Sequence, residues 1–171
     1  MTVFGEIKIN ASAEKVWQIL AKDFATPHNW ASSVNEARAT GEVQASGAPC
    51  DGRVCETSLG PFTEKIRYYS DQSRKISYSA QGDKMPSFVT SMVVTWEIVP
   101  NGKTCMARMQ MDVGLKFPFN ILMVLPMKLQ LGGVAKQARE ELQFFAENGK
   151  PHPRKVKAAG KFRAKNPAAV M

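Results

Sequence analysis

An α+β fold, an antiparallel sheet with one face covered by a long C-terminal helix, is what this sequence predicts. Three observations predict it. Between residues 36 and 114, six short runs of strand character follow one another, each bounded by Gly, Pro, Asn or Asp. A seventh such run opens the chain at residues 2–9. After Pro118 the apolar period changes from two to three and four and holds as far as Asn148. Sequential strands with short links make antiparallel neighbours, and a sheet of that kind has one apolar face to cover.

The elements follow in order. Residues 2–9, TVFGEIKI, place Val3, Gly5, Ile7 and Ile9 on one face. A helix starts next, with Ser12 as N-cap and Val16, Ile19, Leu20 and Phe24 at helical spacing; Lys15 stands where a capping box would carry an acid or amide. A second helical turn is expected around Pro27 to Val34. Strands are expected near 36–44, 52–58, 61–69, 74–80, 87–99 and 104–114. One face of 87–99 offers Phe88, Met92, Val94, Trp96 and Ile98, and one face of 104–114 offers Cys105, Ala107, Met109, Met111 and Val113. The final helix repeats Leu131, Val134, Ala135, Ala138, Leu142 and Phe145 at threes and fours, and Asn148-Gly149 is its stop signal.

A length of 171 residues suits one domain, and 44% hydrophobic with 22% charged residues is the composition of a globular chain. The N-terminus carries Glu6 and Lys8 where a secretory signal needs an unbroken apolar core. The strongest apolar run, Phe117 to Met127, is interrupted by Pro118 and Pro126 and falls short of the roughly 20 residues that cross a bilayer. Cys50, Cys55 and Cys105 form neither an even disulfide set nor a zinc pattern. Reduced thiols and a cytoplasmic location are the expectation, and no metal or cofactor is implied.

The net charge of +8 is not spread evenly. From Lys150 onward there are seven basic residues and no acid; without them 16 basic residues face 15 acidic ones, a net of +1. Residues 1–148 therefore form the expected domain, and 149–171, with Pro at 151, 153 and 167, reads as a basic, flexible C-terminal tail. Such a tail either keeps the protein in solution or meets an anionic membrane surface, the latter helped by the apolar stretch KFPFNILMVLPMK between its lysines. Nucleic acid is disfavoured as a partner, because Phe162 is the tail's sole aromatic residue and stacking platforms need more.

The stretch GPFTEKIRYYSDQSRKISYSA carries the chemical question. Strand alternation puts Phe62, Glu64, Ile66 and Tyr68 on one face, with Thr63, Lys65 and Arg67 on the other. An inward carboxylate needs a partner or a purpose. Catalytic alternatives are thin: His152 lies in the tail, His28 in a turn between Pro27 and Asn29, the thiols have no local His, and Gly132-Gly133 has no phosphate-loop context. Glu64 with Tyr78 is the one acid/base pair on offer, and no catalytic set is assigned.

FGEIKINASAEKVWQILAKDFATPHNW, Arg53, FTEKIRYYSDQSRKISYSA and Pro86 together resemble the START-like, or SRPBCC, superfamily, within it the polyketide cyclase/dehydrase-like branch. The resemblance spans residues 2 to about 148. It implies a helix-grip fold, like that of the birch pollen allergen, with a curved antiparallel sheet around the C-terminal helix and a cavity between them. That implies binding or carriage of a small hydrophobic or amphipathic ligand, with a cyclase/dehydratase using Glu64 and Tyr78 as the enzymatic alternative and membrane-surface lipid handling as a third. Glu64 resembles the glutamate such proteins direct into the cavity, Arg53 matches a basic position on the preceding strand, and Trp30 resembles an aromatic near the mouth. Tyr68 and Tyr78 would extend that polar group, and Met92, Trp96, Met109 and Met111 would line the apolar wall, thioethers suiting an adaptable pocket. Glu64 and Arg53 could equally form an ion pair that only fixes strand register.

Overall fold

The structure is a computed structural model and describes residues 1–58 and 60–165. Seven strands form one antiparallel sheet: β1 (Thr2–Ile9), β2 (Val34–Thr40), β3 (Gly52–Thr57), β4 (Gly60–Ser70), β5 (Lys75–Gly82), β6 (Val89–Asn101) and β7 (Thr104–Leu115). Their order across the sheet is β1-β7-β6-β5-β4-β3-β2, so β1 closes one edge against β7 while the hairpins run in sequence to the other. The helices are α1 (Ala13–Trp17), continued by a π-helical turn Gln18–Lys22, then α2 (Phe119–Leu122), α3 (Val124–Asn148) and α4 (Pro153–Lys165), with a 3-10 turn at Pro27–Asn29. As its sequence predicts, Ser12 caps α1, its hydroxyl accepting from the Lys15 N–H at 3.3 Å.

Alternation decides what faces inward. Val94, Trp96 and Ile98 of β6 and Cys105, Ala107, Met109, Met111 and Val113 of β7 are buried, as the period-two reading requires. α1, its π-turn and the turn that follows bring Val16, Trp17, Leu20, Ala21 and Phe24 into the same core as Ile66, Ile76, Trp96, Ile98 and Leu142. Burying each large apolar side chain contributes about 1.5–3 kcal/mol, so this end of the concave face is the folded anchor of the domain.

A three-residue pin ties α1 to the β4–β5 turn. The Trp17 indole donates to Asp71 Oδ1 at 2.6 Å, the Tyr69 hydroxyl donates to the same oxygen at 2.9 Å, and the two rings pack 5.4 Å apart. The Trp17 bond, then the Tyr69 bond, hold the Asp71 carboxyl below its ordinary value, against a smaller opposing desolvation. A depressed folded-state pKa gives stability that is full above the unfolded value of about 3.9 and is lost as pH falls through the lower folded value. Asp71→Asn is therefore expected to flatten that acid limb of the stability profile, read as melting temperature between about pH 5 and pH 2. An unchanged acid limb would show that the pin does not titrate.

Two expectations are corrected here. Pairing between β4 and β5 shifts between Ile66 and Tyr68, so that Ile66 faces Tyr78 while Tyr68 faces Ser77. The extra residue of this bulge reverses the alternation beyond it. Tyr68 is consequently exposed on the convex face, and Tyr69 takes the inward place that strict alternation gives to Tyr68. The second correction is the basic tail. Its residues to Lys165 form α4, with Lys155 buried and donating to the Val34 carbonyl at 2.5 Å and Arg154 donating to Glu140 at 2.6 Å. Composition missed this because the docking is polar, not apolar; residues 166–171 lie outside the described residues.

The C-terminal half of α3 lies on β1. The Asn10 N–H donates to Glu147 at 2.7 Å, and the Gln143 amide donates to the Lys8 carbonyl at 2.8 Å. Ala135, Leu142 and Ala146 are its buried residues, whereas Val134, expected among them, turns outward. Gly149 ends the helix in the left-handed region at φ 67°, its N–H reaching the Phe145 carbonyl at 2.8 Å.

Candidate functional site

The site begins with a close approach of two strands. At Gly52 a β-carbon would lie 2.2 Å from the Glu64 carbonyl oxygen, so only glycine lets β3 start against β4 there. That start sets the register in which Arg53 lies directly opposite Glu64 and Cys55 opposite Phe62, all on the concave face. Arg53 is 6% exposed. Its Nε donates to Glu64 Oε2, and its Nη1 donates to the Phe24 backbone carbonyl. The guanidinium carbon sits 4.0 Å above the Phe24 ring and 5.4 Å from that of Tyr78, and those two rings meet edge-on at 5.2 Å. One carboxylate, one carbonyl and two aromatic faces thus hold a single cation in place.

The electrostatics follow from that packing. Burial works against the Arg53 charge, but Glu64 and the further partners outweigh it and hold the guanidinium above its ordinary value. Burial, then the Glu64 charge, push the Tyr78 hydroxyl up, so it is a donor at any physiological pH. The Cys55 thiol is pushed up to about 12, chiefly by burial, and is neutral and inert. Glu64 is less enclosed than its partner, its side chain 16% exposed, and Phe62 and Met92 are half-buried.

Beyond Ser79 and Val93, β5 and β6 no longer pair with each other. Ala80 and Gly82 bond only toward β4, and Ser91 and Met92 only toward β7. The strands splay into a cleft of about 400 Å³ whose walls include Arg67, Ala80, Gly82, Met85, Met92 and Val93. Of the residues expected to form the site, Arg53, Glu64 and Tyr78 come together and Met92 borders the cleft. Met109 and Met111 are buried on the neighbouring strand. Trp96 is fully buried core, and Trp30, expected near a mouth, is likewise buried in the core beside the 3-10 turn. Tyr68 is excluded by the bulge. Phe24 escaped the sequence reading as a site residue: helical spacing marks it as core, and nothing local signals that its carbonyl and ring receive an arginine. His28, in the turn its sequence predicts, is half-buried, with Nδ1 unpartnered among the described residues and its pKa lowered by burial and then by Lys155.

A curved antiparallel sheet gripping a C-terminal helix, with a polar group on its concave face, defines a START-like helix-grip protein. The chain belongs to the polyketide cyclase / dehydrase and lipid transport family, whose model matches residues 2–149. Among solved structures it is similar to a START superfamily protein from Mycobacterium smegmatis, with 19% identity over 87% of this chain and 99% of that one and a TM-score of 0.70. A protein of uncharacterised function from Bacillus thuringiensis matches at 18% identity, over 84% of this chain and 96% of that one, with a TM-score of 0.67. A point mutant of norcoclaurine synthase from Thalictrum flavum, bound to a transition-state analogue, matches at 16% identity over 85% and 93% of the two chains, with a TM-score of 0.65. No curated protein matches the sequence. Identities this low establish the fold; the chemistry has to be argued from this chain's own residues.

Proposed function

We propose that the protein binds and carries a small hydrophobic or amphipathic molecule, lipid-like or polyketide-like, on the concave face. The observation that carries this reading is the Arg53–Glu64 pair, fixed on the inner face by Phe24 and Tyr78 while the Glu64 side chain stays 16% exposed. Apolar walls with a few placed polar groups are the general form of a small-molecule site. A polar ligand head would meet the Glu64 carboxylate and the Tyr78 hydroxyl, and an apolar body would lie toward Phe62 and Met92. The cleft between β5 and β6, which Met92 lines, is where such a molecule would enter. Buried, unpaired thiols at Cys50, Cys55 and Cys105 support a cytoplasmic setting.

The alternative reading, a cyclase or dehydratase, draws support from the electrostatic coupling of Tyr78 to Glu64 across adjacent strands. Against it, Glu64 Oε2 is already bonded to Arg53, and Tyr78 and Cys55 are held protonated, so the Glu64 carboxylate, already paired with a cation, is the one base the group offers. Carriage is the better-supported function.

Native mass spectrometry of freshly purified protein should show a co-purifying small molecule, and an environment-sensitive apolar dye should bind at about one per chain. Glu64→Gln keeps shape while removing a charged acceptor and is expected to weaken that binding by about 1–3 kcal/mol. Saturable binding left unmoved by the substitution would remove Glu64 from the site. Unchanged affinity with turnover lost by about two to four orders of magnitude would establish the enzyme instead.

A further inference from the structure

The segment leading into α3 exposes apolar side chains in a way the rest of the protein does not. Phe117, Ile121, Leu122, Leu125 and Leu129 are each between 68% and 78% exposed. Single exposed aliphatics are ordinary, but five within thirteen residues form a patch, and patches of that kind mark contact surfaces. The exposure is built in. α2 is anchored to the body by the stacking of Phe119 on Phe88 at 4.5 Å and by the Lys116 N–H donating to the Phe88 carbonyl at 2.9 Å. Along α3, Leu125 and Leu129 project from one side while Leu131, Ala135 and Ala138 take the inner one, so the leucines have no place against the sheet.

Charge identifies what covers the patch. From Val113 to Arg139 there is no acidic residue. Lys116 and Lys128 flank the patch, are exposed, and have no ion-pair partner among the described residues; Lys136 lies 3.9 Å from Glu140. A second copy of the chain would set this acid-free, cationic surface against itself. An anionic bilayer offers acyl chains to the leucines and phosphates to the lysines.

We infer that the α2–α3 arm docks on an anionic lipid surface, with Phe117, Ile121, Leu122, Leu125 and Leu129 in the headgroup–acyl boundary and Lys116 and Lys128 at the phosphates. Phe88 joins the arm to the loop that borders the β5–β6 cleft, so docking brings the mouth of that cleft beside the bilayer. The docking stands whether or not the concave face carries a ligand.

Flotation of the full chain with phosphatidylcholine vesicles, with and without one part in four of phosphatidylglycerol, tests this. Binding is expected only to the anionic vesicles and should weaken as salt rises. Leu125→Ser with Leu129→Ser should lower partitioning roughly tenfold or more, and each of Lys116→Gln and Lys128→Gln about fivefold. Lys157→Gln with Lys161→Gln on α4 should leave it unchanged. Dye binding and circular dichroism confirm that each variant is folded, and dye binding separately reports the concave site. Four results overturn the inference: no binding to anionic vesicles, arm variants that bind like the parent, loss of binding through the α4 variant, or a concentration-dependent dimer that the leucine substitutions dissolve.

Discussion

Replacing Arg53 with methionine is expected to lower the free energy of unfolding by about 3 kcal/mol, read as a shift of the denaturant midpoint at constant slope. Methionine keeps the apolar stem between Phe24 and Tyr78 but supplies no donor. Glu64 is then left facing inward without its cation, and the Phe24 carbonyl loses its partner. Removing one partner of a buried pair costs about 3–5 kcal/mol, and the partial exposure of Glu64 puts the cost at the lower end. The reverse substitution is gentler: in Glu64→Gln the amide oxygen still accepts from Nε, and about 1–2 kcal/mol is expected, enough to separate from the larger change in ligand affinity only if both are measured. Arg53→Met combined with Glu64→Gln should recover at least about 1 kcal/mol relative to the sum of the single changes, since the unpaired charge is gone. Strict additivity, or a loss below about 1 kcal/mol for Arg53→Met, would show that the pair does not hold β3 on β4.

The same pair shows what could be read from the chain and what could not. The alternation along residues 87–114 and the Asn148-Gly149 stop made the strands and the last helix legible, because each depends only on local periodicity and backbone chemistry. The inward direction of Glu64 was legible for the same reason. Tyr68 was not: two adjacent tyrosines fit either phase, and the bulge that chooses between them is a property of the pairing with β5, not of β4 alone. Nor was the seat of Arg53, since Phe24 meets it through a backbone carbonyl and a ring brought from a turn 29 residues away. The tail was misread because composition weighs apolar residues and charge, whereas α4 docks through buried polar groups whose partners lie on β2 and α3.

Glu141→Leu is expected to cost about 3–5 kcal/mol in the full chain and much less in a chain ending at Gly149, and the difference measures how α4 is held. Glu141 is 2% exposed. It accepts from the Ser32 N–H at 2.8 Å and the Ser32 hydroxyl at 2.6 Å, and forms an ion pair with Arg154 at 3.2 Å. Lys155 feels the same carboxylate: burial lowers its pKa, and Glu141 works to keep it charged. Leucine at 141 therefore takes the buried carboxylate from two cations: Arg154 keeps Glu140, whereas Lys155 keeps only the neutral Val34 carbonyl. Without residues 150–171 both cations are gone, so leucine sacrifices only the two Ser32 bonds and should cost about 1 kcal/mol. A coupling of at least about 2 kcal/mol between the truncation and the substitution is the expected result of the four-way denaturation comparison. Equal costs in the long and short chains would mean that Glu141 serves only the Ser32 turn, and that α4 rests on the body without a charge to clamp it.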